Sequence, residues 1–120
     1  MPSAPVIDRP AADVAAEVTV TVQGDETIVC SPDPISVKAG QHVVEFQLAT
    51  PGYVFRRHDA IVVSNPGRDF PRPSVTSPCG TKATLRDRDL DREEYKYTVY
   101  LVQVATGRII SVDPVIRNEA

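Results

Sequence analysis

Tyr95-Lys96-Tyr97-Thr98-Val99-Tyr100-Leu101-Val102-Gln103-Val104 is the stretch that decides the fold. Its side chains alternate with a period of two, the repeat of a β-strand. Tyr95, Tyr97, Val99 and Leu101 fall on one face, and Thr98, Tyr100, Val102 and Val104 on the other. Tyrosine and valine pack well on a pleated surface, which strengthens the assignment. Ala105-Thr106-Gly107-Arg108 follows as a hairpin turn, and Ile109-Ile110-Ser111-Val112 runs back beside the strand. Asp113-Pro114 then stops the pairing, because proline has no N–H to donate. Val115-Ile116 adds a last edge segment.

Upstream the same signal recurs in shorter pieces. Val18, Val20 and Val22 alternate with Glu17, Thr19 and Thr21. Gln23-Gly24-Asp25-Glu26 is a turn, and Thr27 to Cys30 the returning strand. Ser31-Pro32-Asp33-Pro34 breaks the ladder. Ile35 to Lys38 and His42 to Leu48 alternate again around Ala39-Gly40-Gln41. Tyr53-Val54-Phe55 and Ala60 to Val63 are short strands, and Thr81 to Arg86 a further one. Between Ser64 and Gly80 runs a loop with four prolines, of a length that in a small domain is often functional or mobile. Phe70 in its centre is expected to anchor it against the body. Asp87 to Glu94 is expected to be a charged, solvated connection with one helical turn. The pattern predicts an all-β, two-sheet Greek-key sandwich of seven or eight strands.

The chain has 120 residues, the size of one domain. Residues 16–120 are expected to form it, behind a flexible Pro- and Ala-rich leader over 1–15. Its eleven prolines and valine-rich apolar set favour strands over helices. A net charge of -3 and a pI near 5.3 count against nucleic-acid or anionic-membrane binding. No apolar run is long enough to span a bilayer, and no export signal is evident, so a cytoplasmic location is expected. A fragment whose signal had been replaced by a start Met would look the same. Cys30 and Cys79 are expected as free thiols, although a sandwich could join its sheets through them.

Two short motifs resemble known proteins. Ile35-x-Val37-x-x-Gly40-x-x-Val43 resembles the early strand pair of cupredoxin-like sandwiches, and Tyr95-x-Tyr97-x-Val99 resembles their Tyr-x-Tyr-x-Cys strand. The tail Asp113-Pro114-Val115-Ile116-Arg117-Asn118-Glu119, with Asp87 and Tyr97, is similar to the small bacterial DP-EP family, whose members have no assigned activity. The resemblance, over roughly residues 17–119, implies a cupredoxin-like or immunoglobulin-like scaffold. It also implies the loss of its copper. A blue-copper site needs a thiolate and two imidazoles, and Val99 stands where the motif would place the cysteine. The loop Gln103 to Arg108 brings neither His nor Met. Glu45 occupies the position of an expected aromatic, with Phe46 one residue on.

Other chemistry is thinly represented. His42, His58, Cys30 and Cys79 lack metal-ligand spacing, so no cofactor is expected. Asp87-Arg88-Asp89-Leu90-Asp91 has the opening carboxylates of a calcium loop. The glycine and glutamate such a loop requires are replaced by Arg92 and Thr98. A solvated turn, with Asp87 or Asp91 as a cap and Arg88 and Arg92 neutralising the acids, is the expectation there. His58-Asp59 offers a base and a carboxylate, with serines at 64, 74 and 77. Neighbours on an extended chain point apart, however, and there is no nucleophile elbow or phosphate loop.

Tyr100, Val102 and Val104 make an apolar load unusual for a solvent face. Either the 64–80 loop covers them, or they form with Phe70 an interaction surface for an unknown protein partner or a second copy. The expected function is therefore a non-catalytic interaction or structural module. The alternative is a metal or small-ligand carrier on a cupredoxin-like scaffold. A carbohydrate-binding sandwich is disfavoured by the absence of Trp.

Overall fold

In the computed structural model, which describes residues 14–119, the long alternating stretch is a strand over Glu94–Gln103. Around it the described residues form eleven strands and no helix. They are β1 (Val14–Val22), β2 (Ile28–Ser31), β3 (Ile35–Lys38), β4 (Val43–Leu48), β5 (Tyr53–Phe55), β6 (Ile61–Val63), β7 (Val75–Thr76), β8 (Lys82–Arg86), β9 (Glu94–Gln103), β10 (Ile109–Val112) and β11 (Val115–Glu119). The expected two-sheet sandwich is present, with eleven strands in place of seven or eight. The excess comes from pieces of two to four residues, among them β7 inside the proline-rich loop. Of the expected leader, residues 1–13 lie outside the described residues, and Val14 and Ala15 belong to β1.

One sheet runs β2-β1-β4-β8-β7, with β1 and β4 parallel and its other pairs antiparallel. The second is built on β9. Along one edge of β9 lie β10 and β11, which keep a continuous register across Asp113-Pro114. The Tyr97 amide even donates to the Pro114 carbonyl, 3.0 Å. Along the other edge lie β5 and β6, with residues 56–60 bulging out between them. β11 pairs in parallel with β3 on its far side. The expected edge segment Val115-Ile116 is thus an interior strand that continues to Glu119.

The core sits between the sheets. Val18, Val20, Val44, Phe46, Ala83 and Leu85 face Ile35, Val37, Tyr97, Val99, Leu101 and Ile116, all essentially excluded from water. Phe46 and Tyr97 meet edge to face with centroids 5.8 Å apart. Each Val, Leu, Ile and Phe among these core residues contributes about 1.5–3 kcal/mol by leaving water. The Tyr97 hydroxyl is buried among the described residues without a hydrogen-bond partner, and burial pushes its pKa up.

Gly80 closes the fold beside β5. Its carbonyl accepts from the Phe55 amide, 2.8 Å, and Arg57 clamps the turn by donating to the Ser77 and Pro78 carbonyls. Gly80 has φ +80°, and a Cβ there would stand 2.9 Å from the Cβ of Val54. Gly80→Ala should therefore cost about 2 kcal/mol or more, from left-handed strain and backbone displacement together. A denaturant midpoint equal to wild type would contradict this packing. Tyr97→Phe, in contrast, removes an unpaired buried hydroxyl, and its midpoint should stay unchanged or rise.

Candidate functional site

Two regions of the molecule carry more than packing. The first is the outer face of the β9 sheet. Inward positions of β9 are filled by Tyr95, Tyr97, Val99 and Leu101, as the alternation predicts, so Thr98, Tyr100 and Val102 must point outward. Pairing sets outward-facing neighbours beside them: Val54 and Ile109 opposite Val102, Ser111 opposite Tyr100, Val62 opposite Thr98. Val104 extends the row past the strand end. Val104 and Ile109 are 62% and 51% exposed, whereas Tyr100 and Val102 are half-buried.

The group laid over Tyr100 is Arg56, its guanidinium 3.9 Å from the ring centroid. The same guanidinium donates to the carbonyls of His58 and Asp59 at 2.9 and 2.8 Å. Phe70 does not belong to this face. It is buried and packs edge to face on Tyr95, centroids 4.9 Å apart, so it presents no ring to a partner. Its expected anchoring role is what the structure shows. The 64–80 loop crosses from β6 to β7 beside Ile61, Val63 and Leu85, with Phe70 as its plug.

The second region is a buried polar cluster at one end of the sandwich. Along residues 82–90 exposed and buried positions alternate without a break, past the end of β8. Asp87 follows Ala83 and Leu85 inward, and Asp89 joins it through a left-handed backbone (φ 51°), while Arg86, Arg88 and Leu90 are exposed. β11 contributes Asn118 from its inward face, and the loop contributes Asp69. The Asp69 carboxylate accepts from the Leu90 amide (2.8 Å), the Asp91 amide (3.3 Å), the Tyr95 hydroxyl (2.9 Å) and Asn118 Nδ2 (3.0 Å). Asn118 Nδ2 also donates to Asp87 Oδ1 at 2.9 Å, which the Asp89 amide shares. Asp87 Oδ2, both Asp89 carboxylate oxygens and Asn118 Oδ1 have no hydrogen-bond partner among the described residues.

This corrects the solvated-turn expectation. Asp87 and Asp89 are buried, there is no helical turn, and no ion pair joins them to Arg88 or Arg92 among the described residues. Asp91 alone pairs outward, with Arg68 at 2.7 Å. The three carboxylates of the apparent calcium loop therefore do not converge. Among the described residues no group of three or more His, Cys, Asp or Glu is placed to hold a metal ion. The residues also do not fit a blue-copper centre, since Val99 is an alkyl side chain deep in the core.

The remaining sites are separate. His58, Asp59 and Ser74 share a shallow surface depression. The Ser74 hydroxyl there accepts from the Ile61 amide, 3.1 Å, so it is oriented toward the backbone. Cys30 and Cys79 are both free, one half-buried and one exposed. Burial pushes the Cys30 thiol up to about 12, while hydrogen bonds from Ser77 and Thr81 bring Cys79 down to about 7. No helix of the described residues is long and apolar enough to cross a membrane. No protein-family model matches the chain, and no curated protein matches it significantly.

Burial, reinforced by the charges of Asp69 and Asp89 and opposed by the Asn118 hydrogen bond, raises Asp87 from 3.8 to about 6. The folded protein thus holds this proton more tightly than the unfolded chain. Stability from this group is full below the unfolded value and falls as pH rises toward about 6. Asp87→Asn keeps an acceptor for Asn118 and removes the buried charge. It should gain about 1–2 kcal/mol at neutral pH and nothing in acid. Thermal unfolding of both proteins across that range checks that the gain vanishes in acid.

Proposed function

We propose that this protein is a non-catalytic β-sandwich module that pairs with a second copy of itself through the outer face of β9 and β10. The observation that carries the reading is the uncharged apolar row of Val54, Val62, Tyr100, Val102, Val104 and Ile109. An antiparallel sheet with one wet face would place polar side chains there. A two-fold interface sets the same patch against itself, and a charge near its axis meets its own like. This row carries none, and Arg56 beside it is already engaged by two carbonyls and the Tyr100 ring. An uncharged, self-complementary strip suits a copy of the chain better than a strongly charged partner.

The same reading includes a cupredoxin-like ancestry without copper. Its support is that Ile35, Val37, Val43, Tyr95, Tyr97 and Val99, the motif residues other than the turn residue Gly40, are all buried. The likeness to the DP-EP family draws support from Asp87 and Asn118, two residues of that pattern, being hydrogen bonded to each other. In both cases the motif residues have structural work to do, which accords with a scaffold that has no catalytic group.

The test is the mass in solution. Light scattering of the wild type should give twice the 13.1 kDa of one chain. Ile109→Glu or Val104→Glu should return it to one, since each places a charge in the apolar strip that the interface would strip of water. Tyr100→Glu is the weaker probe, because Arg56 is placed to neutralise it. A wild-type mass of a single chain at every concentration tested overturns the proposal.

A further inference from the structure

At the end of the sandwich that holds the buried carboxylates, the outer surface has the opposite sign. His42, Arg72, Arg86 and Arg88 line an open cleft of about 510 Å³, with Pro71 and Leu90 as its apolar part. Two backbone hydrogen bonds assemble its walls. The Asp87 amide donates to the His42 carbonyl (2.9 Å), and the Arg88 amide to the Asp69 carbonyl (2.7 Å). The start of β4, the end of β8 and the proline-rich loop are thereby held together. Arg86 and Arg88 come from alternate positions of one extended segment and so project to the same side.

The arginines are not balanced by their surroundings. No salt bridge or side-chain hydrogen bond engages Arg72, Arg86 or Arg88 among the described residues. The nearby acids do not answer them either. Asp69 is occupied by backbone amides, Tyr95 and Asn118. The basic group that acts on Asp89 is His42, and no arginine acts on Asp87. Three uncompensated guanidiniums on one concavity, in a chain of net charge -3, form a localised positive site rather than part of a general field.

From this we infer that the cleft binds a small phosphorylated molecule. The arginines fork onto the phosphoryl oxygens, and Pro71 and Leu90 receive the organic part. Planar guanidiniums match a phosphoryl group bidentately, and a dianion meets three positive charges better than a single carboxylate does. The cleft volume falls within the range of small-ligand sites, roughly 300–1,000 Å³. This site lies on residues different from those of the self-association face and does not depend on it.

The experiment is calorimetric titration of the full chain at constant ionic strength with inorganic phosphate and with a hexose phosphate. Both should bind saturably, the hexose phosphate more tightly because it adds contact with Pro71 and Leu90. Arg86→Gln and Arg88→Gln should each weaken binding about tenfold or more, and Arg92→Gln, outside the cleft, should not. These exposed positions leave the core intact, and an unchanged melting temperature confirms folding. Absence of saturable binding, equal affinity in the cleft variants, or equal response to chloride overturns the inference. Tighter binding of a single-stranded oligonucleotide than of either phosphate overturns the small-molecule assignment.

Discussion

A single carboxylate, that of Asp69, ties together the parts of this molecule that the sheets alone leave separate. It is fully buried and accepts from two backbone amides, a tyrosine hydroxyl and an asparagine amide. A buried carboxylate without such partners would be strongly destabilising. With them it fixes the proline-rich loop against the 87–91 segment, β9 and β11 at once. Phe70, the next residue, then has a defined place on the Tyr95 ring. Hydrogen bonding and packing thus act through adjacent residues at one closure point.

The second organising element is β9. Its neighbours on both edges are broken strands, β5 with β6 and β10 with β11, and a continuous β9 bridges both breaks. Its inward side chains supply much of one layer of the core, including Tyr97, Val99 and Leu101. Its outward side chains supply the apolar row. Core and surface patch are therefore two readings of one alternation, and a shift of register would exchange them.

Where side chains alternated between apolar and polar, the sequence was legible. The faces of β9, the hairpin to β10 and the strands β1 to β4 follow from periodicity, because burial of a valine or tyrosine decides the register. Legibility failed where a polar residue occupies an inward position. Asp87 and Asp89 continue the inward row of Ala83 and Leu85, yet their charge suggested solvent. Extending the parity of β8 by three residues would have placed both inside. Asn118 misled in the same way, making β11 look like a two-residue edge. The cleft arginines were invisible for a different reason: Arg72 reaches Arg86 and Arg88 only through the backbone bonds around Asp69 and His42.

The unbroken alternation from Lys82 to Leu90 also determines where the chain can change length. It sorts charge by parity, with the cations Lys82, Arg86 and Arg88 at even positions facing out and the carboxylates Asp87 and Asp89 at odd positions facing in. Adding or deleting one residue there would invert the sorting, driving guanidiniums into the interior and stranding Asp69 and Asn118 without their partner. Across Asn65 to Gly67, where the chain is exposed and turns through left-handed backbone, no such parity exists. A length change is therefore tolerated better at that loop tip than in the segment from Lys82 to Leu90, where the count of residues is fixed by the burial pattern.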